Sequence, residues 1–287
     1  MNRSTPTLAD VVAKAGALPS APWLLPKLME LLANADSAAD HVETLIRMDA
    51  GLATGTLRLA NSAYFTNAMP CDTLSDAIMR LGFREIYRLA STKIASGWLN
   101  APVEGYGWEP GDLYRHSLTV AVAGDLLAKE TGAVEPEIAY TAGLLHDIGK
   151  LALAYGCGPQ FEAIRQYQSK EHCPWRAAEQ QVLGFDHTDV SEMLLTTWKF
   201  PKSLQQVVKF YPRPSAGAPE YAMLVTHVHA AKHLALCLGT GVGEDGFQSE
   251  VEEDSLRSSG LDPEALERLL PAVHEISSKL LHSQAAA

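Results

Sequence analysis

A histidine and an aspartate stand side by side in an apolar stretch of the chain. They are His146 and Asp147, in the segment GLLHDIGK at residues 143–150. An imidazole next to a carboxylate offers ligands that suit a hard or borderline divalent metal ion. A buried core histidine beside a helix-end charge would give the same pair, and the pair taken alone favours that structural interpretation.

Two more histidines lie where they could complete a metal site. His116, in RHSLTVA, lies about one predicted helix before the pair, and His187, in GFDHTDV, lies about one after it. Sites whose ligands come from separate helices are usual in helical bundles. The set therefore predicts a site with His116, His146 and Asp147 as metal ligands and with His187 nearby.

Three further side chains could contribute to this site. Lys150 follows the motif directly. It either contacts a phosphate near the metal or offsets the helix dipole as a cation at a helix end. His229 and His233 are four residues apart, a spacing that can hold one ion on a helix face. For these two histidines we prefer the interpretation that both are surface residues.

Polar side chains in the first hundred residues have simpler explanations. Asn61 and Ser62 interrupt an apolar helix, and such residues commonly bond the local backbone, so we expect an architectural role. Arg80, Arg84 and Arg88 are spaced i, i+4, i+8. A solvated helix face is the preferred explanation of that spacing, and a docking surface for an acidic partner or a phosphate is the alternative.

The elements that must position these residues are predicted to be helices throughout. Apolar residues recur with helical periodicity, and no sustained alternation of period two indicates a strand. Gly82 is expected to separate two helices, and Pro263 to start a last pair. The other predicted helices are Asp112 to Thr131, Pro136 through the His-Asp pair towards Tyr155, Phe161–Lys170, Trp175–Leu183, His187–Trp198, Lys202–Phe210 and Glu220–Leu238.

The sequence divides into two predicted helical subdomains. The segment NAPVEGYGWEPG at residues 100–111 is rich in glycine and proline and indicates a crossover loop. Residues 1–105 then form an N-terminal subdomain and residues 106–287 a second one, which ends in a C-terminal helical extension. Residues 239–254 carry six acidic and no basic side chains, and like charges this dense predict a solvent-exposed loop.

The overall charge excludes some partners. A net charge of −11 argues against affinity for nucleic acid or an anionic membrane, since both attract lysine and arginine. Four scattered cysteines without a CxxC pair indicate a reducing compartment. The first residues lack the pattern of a signal peptide, and no segment has the length of apolar sequence that spans a bilayer, so we expect a cytoplasmic protein.

The motifs together resemble the HDOD family (the HD-related output domain), within the HD/HD-GYP phosphohydrolase superfamily. The resemblance runs from about residue 15 to about 240. It implies an all-α fold of two helical subdomains whose second half is HD-like. The blocks that carry it are LPSAP at 18–22, LIRMD at 45–49, LRLANSAYF at 57–65, AIMRLG at 77–82, GLLHDIGK at 143–150 and LLTTWKFP at 194–201.

The chain also departs from the superfamily pattern. Lys232 stands where the last aspartate ligand is expected, Phe210 and Tyr211 stand where a paired histidine is frequent, and the GYP segment is absent. One interpretation keeps a weakly held divalent ion (Zn, Mn, Fe or Mg) on the remaining ligands. The preferred one has Lys232 replace the metal as a fixed cation, ion-paired with Asp147, so that the pocket binds an anion such as phosphate or is a relic.

The resemblance implies a non-catalytic bacterial signal-transduction domain, with no cofactor required. Its partner would be a signalling protein or a nucleotide-like small ligand. The alternative is a metal-dependent phosphohydrolase or phosphodiesterase acting on a nucleotide, in which the metal activates a water. The oligomeric state stays open.

Overall fold

The computed structural model describes residues 5–15, 24–33, 39–62, 65, 69–240, 243–246 and 251–285. Within these residues the regular structure is helical, apart from one isolated bridge between Val103 and Trp108, so the predicted all-α class is confirmed. The α-helices are α1 Leu8–Ala15, α2 Leu24–Ala33, α3 Ala39–Arg47, α4 Ala50–Ala60, α5 Leu74–Leu99, α6 Asp112–Thr131, α7 Pro136–Leu145, α8 Ile148–Cys157, α9 Phe161–Glu171, α10 Trp175–Leu183, α11 His187–Thr197, α12 Lys202–Phe210, α13 Ala222–Cys237, α14 Glu253–Ser258 and α15 Pro263–Ala285.

The chain forms two compact units. One is Ser20–Gly97, and the other joins Met1–Pro19 to Trp98–Ala287. This division differs from the predicted boundary at residue 105, because α1 packs against α8 and α11 of the larger unit. The apolar stripe of α1 (Val11, Val12 and Ala15) is buried. Periodicity shows that a helix has an apolar face, but it does not show which distant helix covers that face.

In the smaller unit, side chains fix the ends of helices. Asp49 caps α4 by accepting a hydrogen bond from the Leu52 backbone N–H at 2.8 Å. Asn61, just past the end of α4, bonds both the N–H and the carbonyl of Cys71, at 2.7 and 2.9 Å. Asn61 therefore has the architectural role expected of it.

Gly82 interrupts α5 with a left-handed backbone conformation, φ 74° and ψ 163°. This is the predicted break between two helical segments, and glycine adopts it at no steric cost. The break also separates Arg80 from the helical register of Arg84 and Arg88. Arg80 turns to the backbone instead and donates to the carbonyls of Ala60 and Met69 at 3.2 and 2.7 Å.

The larger unit is built around α6, which packs against α7, α13 and α15 and is buried over most of its length. Gly132 ends α6 in the left-handed conformation, and Pro136 opens α7, both as predicted. The helix predicted to run from Pro136 towards Tyr155 is instead two helices, α7 and α8. His146 and Asp147 form the turn between them.

Close packing against α11 determines the position of α8. A Cβ on Gly149 would lie 2.0 Å from the carbonyl oxygen of His187, and the Gly149 N–H donates to Ser191 Oγ at 2.9 Å. Only a glycine permits this approach. It brings the start of α8 and the start of α11, with His187, to the same place.

The C-terminal part differs from prediction in one respect. The pair of helices expected from Pro263 onward is a single helix, α15, with Pro271 inside it. No helix among the described residues is long and apolar enough to cross a membrane.

Candidate functional site

Three predicted ligands converge in the larger unit. His116 comes from α6, and His146 and Asp147 come from the turn between α7 and α8. All three are buried, and one ligand atom of each lies within 4.8 Å of the others. The Nε2 atoms of His116 and His146 lie 4.0 and 3.2 Å from Asp147 Oδ2.

Hydrogen bonds at Nδ1 fix which ring nitrogen carries the proton. His116 Nδ1 lies 3.0 Å from the carbonyl of Thr240, and His146 Nδ1 lies 2.8 Å from that of Gly143. A carbonyl only accepts, so each Nδ1 donates and each Nε2 keeps a free lone pair. Neither Nε2 has a hydrogen-bond partner within the part of the chain that the structure describes. Such an arrangement of imidazoles is typical of metal ligands.

Both rings are held neutral. Burial lowers the pKa of His116 to about 3 and also lowers the pKa of His146. A neutral imidazole is the form that ligates a metal.

The cation that contacts Asp147 is Lys150. Its Nζ donates to Asp147 Oδ2 at 2.6 Å and to Asp245 Oδ2 at 2.5 Å, with the side chain almost fully buried. Burial acts to lower the pKa of Lys150, but the two carboxylates outweigh burial and raise that pKa. Lys150 lies in the first turn of α8, where the dipole opposes a cation, so the predicted helix-end role is wrong.

The other carboxylate oxygen of Asp147 binds Tyr211. Its hydroxyl donates to Oδ1 at 2.5 Å, and its ring lies edge-on to His146. Burial alone would raise the pKa of Asp147, but the ammonium groups of Lys150 and Lys232 hold it well below its usual value. Asp147 is thus a carboxylate with both oxygens engaged.

Lys232 lies near this pair without joining it. Its Nζ contacts the Tyr211 hydroxyl at 3.5 Å and lies 4.9 Å from the centre of the Tyr211 ring. The expected ion pair between Lys232 and Asp147 is therefore replaced by the pair of Lys150 and Asp147, with Tyr211 bridging to Lys232. Burial lowers the pKa of Lys232, and no carboxylate of a described residue contacts its ammonium group directly.

His187 is held by Glu179, a residue that the sequence analysis did not identify. Glu179 Oε2 accepts from the backbone N–H of His187 at 2.9 Å and lies 2.7 Å from its Nδ1. Glu179 Oε1 accepts from the Tyr106 hydroxyl at 2.5 Å, and His187 Nε2 lies 3.1 Å from the Tyr211 hydroxyl. Both ring nitrogens of His187 are engaged, so His187 supports the site rather than completing the ligand set.

A sequence signal for Glu179 exists. It stands four residues after Trp175 and four before Leu183, in the apolar stripe of α10, and all three residues are buried. A carboxylate on the core face of a helix needs a buried partner, so its position alone predicts a polar network.

Among its described residues, the acidic stretch 239–254 contributes one buried carboxylate, which corrects its prediction as a solvent-exposed loop. The Asp245 side chain is 8% exposed, and its Oδ1 accepts from Trp108 Nε1 at 3.0 Å. Glu244 beside it is exposed and pairs with Arg165. Residues 241–242 and 247–250 lie outside the described residues. Charge composition could not distinguish Asp245 from its five acidic neighbours.

His229 and His233, two of the three histidines of α13, have separate partners. His229 is buried, with Nδ1 2.8 Å from the carbonyl of Tyr211, and its Nε2 accepts from the Glu252 backbone N–H at 3.0 Å. His233 Nε2 lies 3.7 Å from Cys237 Sγ. His229 is therefore a structural core residue, and its prediction as a surface residue is wrong.

The residue types of the site fit a divalent metal, but its charges oppose one. The two free Nε2 lone pairs and Asp147 are suitable donors, and Asp245 lies outside this group. The Asp147 oxygen nearest both histidines already binds the Lys150 ammonium. A dication about 4 Å from an ammonium group meets a repulsion of roughly 8 kcal/mol at an effective dielectric constant of about 20.

An all-helical unit that gathers a His-Asp cluster from separate helices has the architecture of the HD phosphohydrolase fold. The comparisons identify the branch of that fold. The HDOD domain family matches residues 18–214, and the chain belongs to this family.

Solved structures share the fold over most of the chain. An HDOD domain protein of unknown function from Geobacter sulfurreducens is 24% identical, with a TM-score of 0.68 over 97% of this chain and 96% of its own. A candidate phosphohydrolase from Shewanella amazonensis SB2B is 26% identical, with a TM-score of 0.69 over 94% of this chain and 96% of its own. Both structural similarities cover a larger share of the chain than residues 18–214.

A curated relative is longer than this chain. An uncharacterized protein of Treponema pallidum (strain Nichols) is 23% identical over 228 residues, which are 79% of this chain and 44% of the relative. The chain spans less than half of that relative.

Proposed function

We propose that this chain is a non-catalytic HDOD domain of bacterial signal transduction, in which an internal ammonium group takes the place of a catalytic metal. The family membership and the His-Asp cluster support the HD origin of the pocket. The proposal places the chain in the cytoplasm and assigns its output to binding rather than turnover.

One observation carries the proposal. Lys150 Nζ lies 2.6 Å from the oxygen of Asp147 towards which His116 and His146 direct their free nitrogens. Metal-assisted hydrolysis needs a dication there to lower the pKa of a bound water. With Lys150 in contact, and with Lys232 in place of the aspartate that the superfamily pattern expects, such an ion would be held weakly.

The output we propose is regulatory binding, to a signalling protein or a nucleotide-like ligand. A protein from Marinobacter aquaeolei VT8 named as a candidate signal transduction protein has the same fold, with 20% identity and a TM-score of 0.74. The shared region is 98% of this chain and 61% of that protein.

The rival function is a metal-dependent phosphohydrolase, with His116, His146 and Asp147 as ligands of Zn, Mn, Fe or Mg. The observation that favours it is the pair of free Nε2 lone pairs, since buried polar atoms without partners are rare. The Shewanella amazonensis structure named as a candidate phosphohydrolase points the same way.

A turnover assay decides between the two. The purified chain is incubated with Mn or Mg and with cyclic di-GMP or bis(p-nitrophenyl) phosphate, beside a His146→Ala variant as control. The proposal predicts the same background rate for both proteins. Product release that rises with enzyme concentration and disappears in His146→Ala would overturn the proposal in favour of the phosphohydrolase.

A further inference from the structure

The carboxylate of Asp245 is bound as an anionic ligand would be. Each of its oxygens has its own donor, Lys150 Nζ to Oδ2 at 2.5 Å and Trp108 Nε1 to Oδ1 at 3.0 Å. The donors come from α8 and from the segment before α6, whereas Asp245 comes from the segment after α13. A cation and an indole N–H arranged around a carboxylate form a receptor for a small oxyanion.

Aromatic rings enclose this receptor. The Lys150 ammonium lies 5.1 Å from the centre of the Trp108 ring and 5.7 Å from that of Tyr106. Contacts with aromatic faces stabilise a cation away from water. These rings and Asp147 give Lys150 stabilising contacts besides the one with Asp245.

Asp245 lies on a short segment that rests against the receptor from outside. A Cβ on Gly243 would lie 1.7 Å from Trp108 Nε1 and 2.6 Å from the carbonyl of Tyr106, so only glycine allows this seating. The Glu244 N–H donates to the Tyr106 carbonyl at 3.0 Å. The carboxylate of Glu244 pairs with Arg165, and both side chains are more than a third exposed.

The contacts that hold residues 243–246 in place differ in burial. A half-exposed ion pair such as Glu244–Arg165 contributes little to stability. The Asp245 contact is buried, and it gives the Lys150 ammonium a second carboxylate partner beside Asp147. Asp245 therefore decides whether residues 243–246 stay seated. It lies beyond residue 214, where the HDOD family match ends.

We propose that residues 243–246 are an internal plug, in which Asp245 occupies an oxyanion-binding position formed by Lys150 and Trp108. A small ligand with a phosphate group competes with the Asp245 carboxylate for this position. Binding displaces the plug and so changes the surface that the segment presents to a partner. This inference rests on the proposed function, since it gives the same pocket a ligand class and a means of regulation.

The test is a titration with inorganic phosphate in a chelator-containing buffer. It follows the melting temperature, with calorimetry for the affinity. The variants are Asp245→Asn, which removes the charge and keeps the shape, and Gly243→Ala, which unseats the segment without changing a receptor residue. Glu244→Ala is the matched control, because it removes an acidic side chain from the same segment without touching Lys150.

Asp245→Asn and Gly243→Ala should each bind phosphate at least about tenfold more tightly than wild type, because a closed site weakens apparent affinity by the fraction of open molecules. Glu244→Ala should behave as wild type. Adding Trp108→Phe to Asp245→Asn should reverse the gain, because the indole donor is lost. Phosphate also stabilises proteins by exclusion from their surface, so each shift is taken relative to wild type.

Equal phosphate affinity in wild type, Asp245→Asn and Gly243→Ala would overturn the plug. So would a gain of the same size in Glu244→Ala. The proposed function fails separately: Mn-dependent release of p-nitrophenol from p-nitrophenyl phosphate, lost in His146→Ala, would show an enzyme even where the phosphate titration supports the plug.

Discussion

Lys150 is a buried cation between two carboxylates, and the three charges depend on one another. Its ammonium contacts Asp147 and Asp245, and its side chain is 2% exposed. When one member of a buried pair is removed, the remaining charge has no partner and cannot reach water. The stability of the larger unit should therefore respond more to Lys150 than to other lysines.

Lys150→Met should lower the free energy of unfolding by about 3–5 kcal/mol, because it leaves Asp147 and Asp245 buried without their cation. Lys232→Met should lower it clearly less, since Lys232 contacts the hydroxyl group and the ring of Tyr211 and forms no ion pair with a described carboxylate. Urea unfolding of each variant measures both values. Lys279→Met is the control, an exposed lysine on α15 that should leave the urea midpoint unchanged.

The partner of Asp147 can be established with a double-mutant cycle. Lys150→Met combined with Asp147→Asn should cost less than the sum of the two single changes, because the double change leaves only Asp245 without its cation, whereas Lys150→Met alone leaves both carboxylates so. The corresponding cycle with Lys232 should be closer to additive. Additive losses for Lys150 and a strong coupling for Lys232 would restore the original expectation that Lys232 neutralises Asp147.

At the scale of the elements, the site depends on how closely α8 approaches α11. Gly149 brings α8 against the His187 carbonyl, and Ser191 Oγ holds the Gly149 N–H. This crossing aligns Asp147, just before α8, with His187, the first residue of α11. A change in the spacing of these two helices would therefore disturb the pocket without altering any of its side chains.

Gly149→Ala should destabilise the protein by about 1–3 kcal/mol or more, because the added methyl group overlaps the α11 backbone. Gly158→Ala is the matched control. Gly158 has right-handed helical backbone angles, φ −43° and ψ −48°, and no atom of the described residues lies within 4 Å of a Cβ there. Its replacement should be neutral or slightly stabilising. Equal melting temperatures for the two variants would contradict the close crossing of α8 and α11.

Most elements followed from local patterns, and most errors concerned contacts between distant elements. The start of α7 at Pro136 and the bounds of α10 and α12 agree with the periodicity and the punctuation by glycine and proline. The break at His146 was missed, because it is imposed by packing of α8 on α11. Periodicity along one helix contains no information about that crossing.

The site shows the same limit. His116, His146 and Asp147 were identified because ligand chemistry is visible in residue type, and the structure brings them together. Lys150, and not Lys232, pairs with Asp147, and Asp245 binds Lys150 as well. Both contacts depend on the directions of side chains in three separate segments. Those directions are set by tertiary packing and have no local signature.

At the scale of the whole molecule, several buried histidines make stability depend on pH. Burial lowers the pKa of His116, His146, His227 and His229 below the ordinary value. Unfolding restores the ordinary value of about 6.5. Below that pH the unfolded chain binds protons that the folded chain does not, so stability is full above it and is lost as the pH falls.

We expect the free energy of unfolding to decline from about pH 6.5 downwards, by up to about 1.4 kcal/mol per pH unit for each such histidine. Urea midpoints in a chelator-containing buffer series measure the slope. His227→Gln should make the slope shallower, because His227 is buried beside Thr131, away from the His-Asp cluster. A free energy of unfolding that stays constant or increases as the pH falls from about 6.5 would contradict the neutral state of these rings.

The central claim is that an ammonium group occupies the place of the metal, and metal content tests it most directly. The protein is loaded with Mn or Zn, dialysed against a chelator and measured by elemental analysis. The account predicts well below one ion per chain, because Lys150 and Lys232 oppose a dication at His116, His146 and Asp147. One full equivalent of a transition metal that survives dialysis would contradict it.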